Sequence, residues 1–336
     1  MAAFDAEVVV VGAGVMGLAT ARELAKAGRD VVVCEQFALG HDHGSSHGSA
    51  RIVRLSYPEE RWVRFAQETF PLWYELAAEC GRELLHLHGT LDLGDWEPNR
   101  DALSACGAPF EVLDTAEIER RFPVRAEPGS RGLFQPDGGI VLADVALEAF
   151  AASAVGAGAQ LLEQHRVEAV EQDDDGVLAG GVRARVAVVT AGAWAPKLAP
   201  IEATTTLETV SYFSFDGPLP SVIDTSTSAR SGYALMAPIG LLKAGLHQSG
   251  PPVDPDEPAA PDTGIAERTA AWVERRFRDA GPPIEVETCL YTIRENDEFL
   301  LERRGRVVVG SPCSGHGFKF APVIGRRLAA LALETL

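Results

Sequence analysis

Apolar positions are densest at the start of the chain. Val8–Val11 is a run of β-branched residues, the stretch from Leu18 to Ala25 is largely apolar, and Val31–Cys34 is a second β-branched run. This pattern predicts strand, helix and strand. Helical spacing returns over Glu59–Gly81, where Trp62, Phe65, Phe70, Trp73, Leu76 and Ala77 form an aromatic-rich core stripe. Further helices are predicted over Leu142–Ala157, Ile265–Ala280 and Ala321–Leu333. Short strands are predicted at Gln160–Glu163, Val167–Gln172, Arg185–Val189, Leu207–Phe215, Tyr233–Ala237, Leu241–His247, Glu285–Tyr291, Phe299–Glu302 and Arg306–Val309. Between 83 and 139, short apolar runs alternate with turn residues. Asp173-Asp174-Asp175-Gly176 reads as a solvated hairpin tip, and Gly250–Asp262 as a Pro/Asp-rich surface loop. No internal repeat is present, and the elements of two halves interleave along the chain.

The first strand and helix are joined by Gly12-Ala13-Gly14-Val15-Met16-Gly17, and Glu35 closes the second strand. This is the G-x-G-x-x-G dinucleotide fingerprint in its strand–turn–helix context. Gly12 permits a tight turn, Gly14 lets backbone approach a pyrophosphate, and Gly17 lets the helix pack close to the sheet. The helix start offers unpaired N–H groups to the phosphates. Glu35 is placed to accept from a ribose hydroxyl, which favours FAD or NAD over a 2′-phosphorylated cofactor. Small residues after the strand at Arg185–Val189, in Thr190-Ala191-Gly192-Ala193-Trp194, would let backbone come close to the same ligand.

Composition narrows the classes. The 336 residues are 46% hydrophobic, enough for a large core and two domains. A net charge of −18 disfavours nucleic acid and anionic membrane as partners, so an anionic ligand needs a locally basic pocket. Asp5 and Glu7 near the start do not suit a signal peptide. No apolar run is long enough to span a bilayer. The last residues, Glu334-Thr335-Leu336, are not a peroxisomal or retention signal. Five cysteines without paired spacing suit a reducing cytoplasm. The histidines of the loop Phe37–Ser49, His41, His43 and His47, match no zinc spacing, and no metal is expected. Taken alone, Arg51 and Arg54 read as solvated or ion-paired surface charges, and Lys243 as a lysine snorkelling from an apolar strand.

Several segments together resemble one family: the flavin amine oxidases of the monomeric sarcosine oxidase and N-methyl-L-tryptophan oxidase type, with a D-amino-acid-oxidase-like fold. The matching segments are Gly12–Gly17 with Glu35, Gly44–Arg54, Ala191–Trp194, Lys243–His247, Cys289-Leu290-Tyr291-Thr292 and Ser314–Phe320, in the family's order. The resemblance implies an α/β fold in which a Rossmann-type FAD-binding domain interleaves with a mixed-sheet (α+β) substrate domain. The corresponding boundaries are 1–80, 140–205 and 285–336 for the first, and 81–139 and 206–284 for the second. It implies FAD, held covalently through a thioether at Cys289.

Residue by residue, the resemblance places Arg54 and Lys319 on the substrate carboxylate, and His247 and Tyr291 beside the amine. It places Arg51 and His47 beside the flavin ring and Lys243 over it, where a positive charge activates oxygen. Val15, Met16, Gln36, Ser45, Val167, Ala191, Gly192, Trp194, Gly315, His316, Gly317 and Phe318 complete the cofactor set, with backbone N–H groups of Gly315–Lys319 near the reduced ring. The implied activity is oxidation of a secondary amine or N-methyl amino acid, with O2 as oxidant and H2O2 as product, by a monomer or homodimer. Two departures stand out: Ser49-Ala50 replaces an acidic and hydroxyl pair, and the second domain is short. They leave open a dehydrogenase or biosynthetic oxidase acting on a cyclic, glycated or natural-product amine. A flavin-binding module without turnover fits less well, because it needs no such set of cations.

Overall fold

The computed structural model describes residues 4–226, 231–257 and 260–336. Met1–Ala3 and positions 258–259 of the Pro/Asp-rich loop lie outside the described residues.

The first sheet is built on β-branched runs. Its parallel core has the order Gln160–Leu162, Val31–Cys34, Ala6–Val11, Val182–Val189, Val307–Ser311. Val8, Val31 and Val186 lie side by side on one face and Val9, Val32 and Ala187 on the other, so apolar side chains meet on both faces. The hairpin Val170–Gln172/Val177–Ala179 and the strand Leu300–Arg304 extend the sheet antiparallel. On one face the helices Val15–Lys26 and Ala321–Leu333 pack closely, since a Cβ on Gly325 would fall 2.7 Å from the Ala19 Cβ. Trp73 and Phe150, from the helices Glu60–Cys80 and Ala143–Gly156, fill the same core with Phe320. The strand expected over Val167–Gln172 begins only at Val170. The preceding residues are tied elsewhere: the His165 N–H donates to the Glu35 carbonyl at 2.7 Å.

The second sheet runs in the order Pro283–Ile293, Thr204–Ser214, Leu241–Leu246, Gly232–Met236, Ser221–Asp224, Thr90–Leu93, Arg131–Gln135, Glu111–Asp114. The helix Thr263–Arg276 closes it, pinned where Asp224 accepts from Arg276 Nε at 2.9 Å and from Trp272 Nε1 at 2.8 Å. One expected boundary shifts. The segment from 285, expected with the nucleotide half, begins in the second sheet, because Pro283–Ile293 pairs along nearly all of Thr204–Ser214. A small third sheet joins Ala50–Val53, Gly139–Leu142 and Leu85–Leu87. Sequence reading gave no strand at Ala50–Val53, where an arginine interrupts a short apolar run.

Gly17 shows why the first turn holds its shape. A Cβ there would stand 1.8 Å from the Gly12 carbonyl oxygen and 2.8 Å from Thr190 Oγ1. Gly17→Ala is expected to destabilise the fold by about 1–3 kcal/mol, read as a Tm lower by roughly 2–10 °C in thermal unfolding.

Candidate functional site

One cleft of about 990 Å³ runs from the glycine turn to the edge of the second sheet. At its nucleotide end, Gly12 has φ +99°, and a Cβ there would meet the Thr190 carbonyl at 2.8 Å. Gly14 caps the helix Val15–Lys26 without a side-chain bond, and a Cβ on it would touch only Ser46 Oγ. The helix start therefore faces the cleft open, with the Val15 N–H donating to Ser46 Oγ at 3.2 Å. Glu35 is buried. One of its oxygens accepts the Ala13 N–H at 2.7 Å and the other the Phe37 N–H at 3.0 Å. Met16, Gln36, Val167, Ala191 and Gly192 line this end, as does Trp194, whose Nε1 donates to Asp256 at 2.8 Å. Gly17 is the one expected cofactor residue that does not line the cleft. Its place beneath Gly12 leaves it a packing role.

In the middle, Arg51 binds the loop it follows. Its guanidinium donates to the carbonyls of Ala50 (2.9 Å), Ser45 (3.1 Å) and His47 (2.6 Å) and stands 3.8 Å from Cys289 Sγ. The loop carries Gly48 at φ +97°, where a Cβ would crowd Lys243 Nζ and Arg51. Lys243 is buried, 3.8 Å from Glu287 and 5.2 Å from the centre of the Tyr212 ring. Desolvation, then Arg51, pushes its amine down to about 8. The same two influences, with Lys243 added, push His47 down to about 4.

At the far end Arg54 and Lys319 converge on the Tyr57 ring, 4.6 and 5.7 Å from its centre. Arg54 is held by Asp92 at 3.4 Å. Asp92 is itself buried and accepts from Ser56 Oγ and from Asn99 Nδ2. Lys319 donates to the His316 carbonyl at 2.7 Å, and its own carbonyl accepts from Trp73 Nε1 at 2.8 Å. Burial, then Arg54, holds the Lys319 amine well below its usual range. His316 lies against Phe299 and Trp62 and is pushed down to about 3, chiefly by burial. His247 and Tyr291 stand 5.8 Å apart between ring centres, and a Cβ on Gly315 would collide with both. The N–H groups of His316 and Gly317, expected to face a reduced ring, instead donate to the Cys313 carbonyl.

The cleft fits the shape and polarity of FAD. Its glycine-lined end is open to phosphates. His47 Nε2 and His316 Nδ1 are buried without a hydrogen-bond partner among the described residues. The cations at its centre suit an electron-rich ring. Gly12, Gly14, Val15, Met16 and Glu35 would hold the nucleotide, with Ser45, His47, Arg51 and Cys289 beside the ring. Among the described residues no group of three or more His, Cys, Asp or Glu is placed to bind a metal ion, and no helix is long and apolar enough to cross a membrane.

The structure thus gathers nearly all the expected residues in one place. Arg51, Arg54 and Lys243 are not the surface charges their local sequence suggests. Sequence reasoning missed Asp92, Tyr57, Tyr212 and Glu287. A signal existed for Glu287, which alternates with Cys289 and Tyr291 and so shares their face of the strand. Asp92 between Leu91 and Leu93 was a similar sign, an acid inside an apolar strand.

Comparison with known proteins agrees with this geometry. The FAD-dependent oxidoreductase (DAO) family matches residues 7–331. A probable sarcosine oxidase of Arabidopsis thaliana is 31% identical over 98% of this chain and 88% of its own length. The N-methyl-L-tryptophan oxidase of Yersinia pestis is 27% identical over 98% of this chain and 95% of its own. The solved structure of NikD, an unusual amino acid oxidase essential for nikkomycin biosynthesis, superposes with a TM-score of 0.88 at 27% identity, over 99% of this chain and 95% of that one.

The environment of Lys243 has a thermodynamic consequence. Its amine titrates near 8 in the folded protein and at 10.5 when unperturbed. Between those values the unfolded chain binds more protons, so stability rises with pH across that window. Lys243→Met removes this dependence. Its stability relative to the native protein is expected to be higher below about pH 8 than above about pH 10.5, by on the order of 3 kcal/mol. Guanidinium unfolding of both proteins across the window measures this difference.

Proposed function

The chain belongs to this family of FAD-dependent oxidoreductases, and we propose that it is an oxidase of secondary amines such as N-methyl amino acids. The observation that carries the reading is the meeting of Arg54 and Lys319 over Tyr57, in the same cleft as the glycine turn, Lys243 and Cys289. Arg54 offers a planar fork to a carboxylate and Lys319 a compact charge. Their positive field disfavours an ammonium and so keeps the substrate amine neutral, with its lone pair available. Tyr57, Tyr291 and His247 wall the space between carboxylate and amine. Bound FAD supplies the redox chemistry: acceptance of a hydride equivalent from the carbon next to nitrogen, and return of two electrons to O2 with release of H2O2. Lys243 stabilises negative charge developing on oxygen, an effect enlarged by the buried setting. Cys289 would hold the cofactor through a thioether, with Arg51 beside the sulfur. Five cysteines without a disulfide suit a cytoplasmic protein.

A second reading is supported by Ser49-Ala50 and by the likeness to NikD: the amine is cyclic or part of a larger natural product. A panel of N-methyl, cyclic and glycated amino acids, mixed anaerobically and followed by loss of flavin colour, separates the two.

Arg54→Met is expected to weaken substrate binding at least about tenfold, the loss of a charge-assisted hydrogen bond, measured as the half-saturating substrate concentration in that anaerobic assay. Lys243→Met should slow reoxidation by O2 far more than anaerobic reduction; equal slowing removes its assigned role. Acid precipitation should leave flavin on the native protein and release it from Cys289→Ala. Release from the fully loaded native protein ends the covalent assignment.

A further inference from the structure

Glu287 lies two residues before Cys289 on the strand Pro283–Ile293, and both side chains line the cleft. Its Oε2 stands 3.8 Å from Lys243 Nζ and accepts a hydrogen bond from Tyr212 Oη at 2.7 Å. The Lys243 side chain is 6% exposed and that of Glu287 32%, so the carboxylate bridges from a buried amine toward open space.

The other groups around Lys243 do not replace it. Arg51, from the strand Ala50–Val53, opposes a second positive charge. His47, in the loop before that strand, is held neutral by burial and by the two cations. Asp144, at the start of the helix Ala143–Gly156, has its carboxyl pushed up by burial. Tyr212, on the neighbouring strand, donates its hydroxyl to Glu287 itself. Cys289 contributes a negative charge only as a thiolate. Glu287 is thus the carboxylate in direct ion-pair range of the buried amine.

We infer that Glu287 is a positioning residue for Lys243: it holds the amine as an ammonium facing the cleft and sets the pH at which that charge is lost. This rests on the reading of the cleft as a flavin site. An opposite charge at this distance favours the charged form by about one pKa unit or more, even where solvent screens part of it. The carboxylate has a second effect. Its own charge partly cancels that of Lys243, so the pair presents a weaker positive field than a lone lysine.

The test uses the flavin-loaded protein. Glu287→Gln removes the charge while keeping an acceptor for Tyr212. The visible flavin spectrum, titrated from about pH 6 to about pH 10, is expected to show a transition in the native protein, because a charge is lost beside the ring. The transition should be absent in Lys243→Met and lie about one pH unit lower in Glu287→Gln. The pH midpoint of reoxidation by O2 is expected to move with it. A spectral midpoint unmoved in Glu287→Gln, or a transition that survives in Lys243→Met, overturns the inference. If Lys243→Met abolishes the transition yet reoxidises at the native rate, the oxygen role of Lys243 falls while control of its charge by Glu287 stands. Should Glu287→Gln fail to fold or load, Tyr212→Phe frees the carboxylate from its other partner and is expected to raise the midpoint. An unmoved midpoint there contradicts the inference.

Discussion

The structure depends on gathering like charges out of water. Arg51, Arg54, Lys243 and Lys319 face one cleft in a chain whose net charge is −18. Desolvation and mutual repulsion oppose that arrangement, and the depressed amines of Lys243 and Lys319 record it. Each cation is kept in place by a local partner. Arg51 is spread over three backbone carbonyls, Lys319 rests on the His316 carbonyl, and Arg54 and Lys243 have the single carboxylates Asp92 and Glu287. The partners supply less negative charge than the cations carry. The inner part of the cleft, from Arg51 to Lys319, is left electropositive, ready for an electron-rich ring and a carboxylate.

The interleaved topology makes this gathering feasible. The first sheet ends its parallel strands at the glycine turn, where open helix N–H groups suit phosphates. The second sheet brings Lys243 and the row Glu287, Cys289, Tyr291 from strands that each pair with Thr204–Ser214. The small third sheet supplies Arg51, and Arg54 follows directly after it. The 3₁₀ turn Phe318–Phe320 leads Lys319 into the last helix. No single stretch contains the site, and each stretch is fixed by packing far from it. Position is therefore set by rigid elements, as a hydride transfer between closely held atoms requires.

The features legible in the sequence are those whose physics is local. Gly12–Gly17 must be small whatever surrounds them, and the last helix, Ala321–Leu333, is bounded as its apolar spacing predicts. Long-range pairing is different. Nothing near Glu285 in sequence says that its strand leaves the first sheet for the second, because that choice lies in pairings with Thr204–Ser214. Arg51 and Arg54 looked like surface charges because the groups that face them across the cleft, Cys289 beside Arg51 and Asp92 beside Arg54, are distant in the chain. Only the resemblance to a known family gave them a role. Asp92 and Glu287 escaped both routes: each acts through a cation from a distant segment of the chain.

The most direct test of this electropositive cleft is a ligand comparison on the flavin-loaded native protein. A small aromatic carboxylate that cannot be oxidised, and the same ring bearing a neutral carboxamide, are titrated while the visible flavin spectrum is recorded. The account predicts a saturable spectral change with the carboxylate and binding at least about tenfold weaker with the carboxamide. Equal affinity for the two, or a carboxylate that binds without disturbing the flavin, would contradict it.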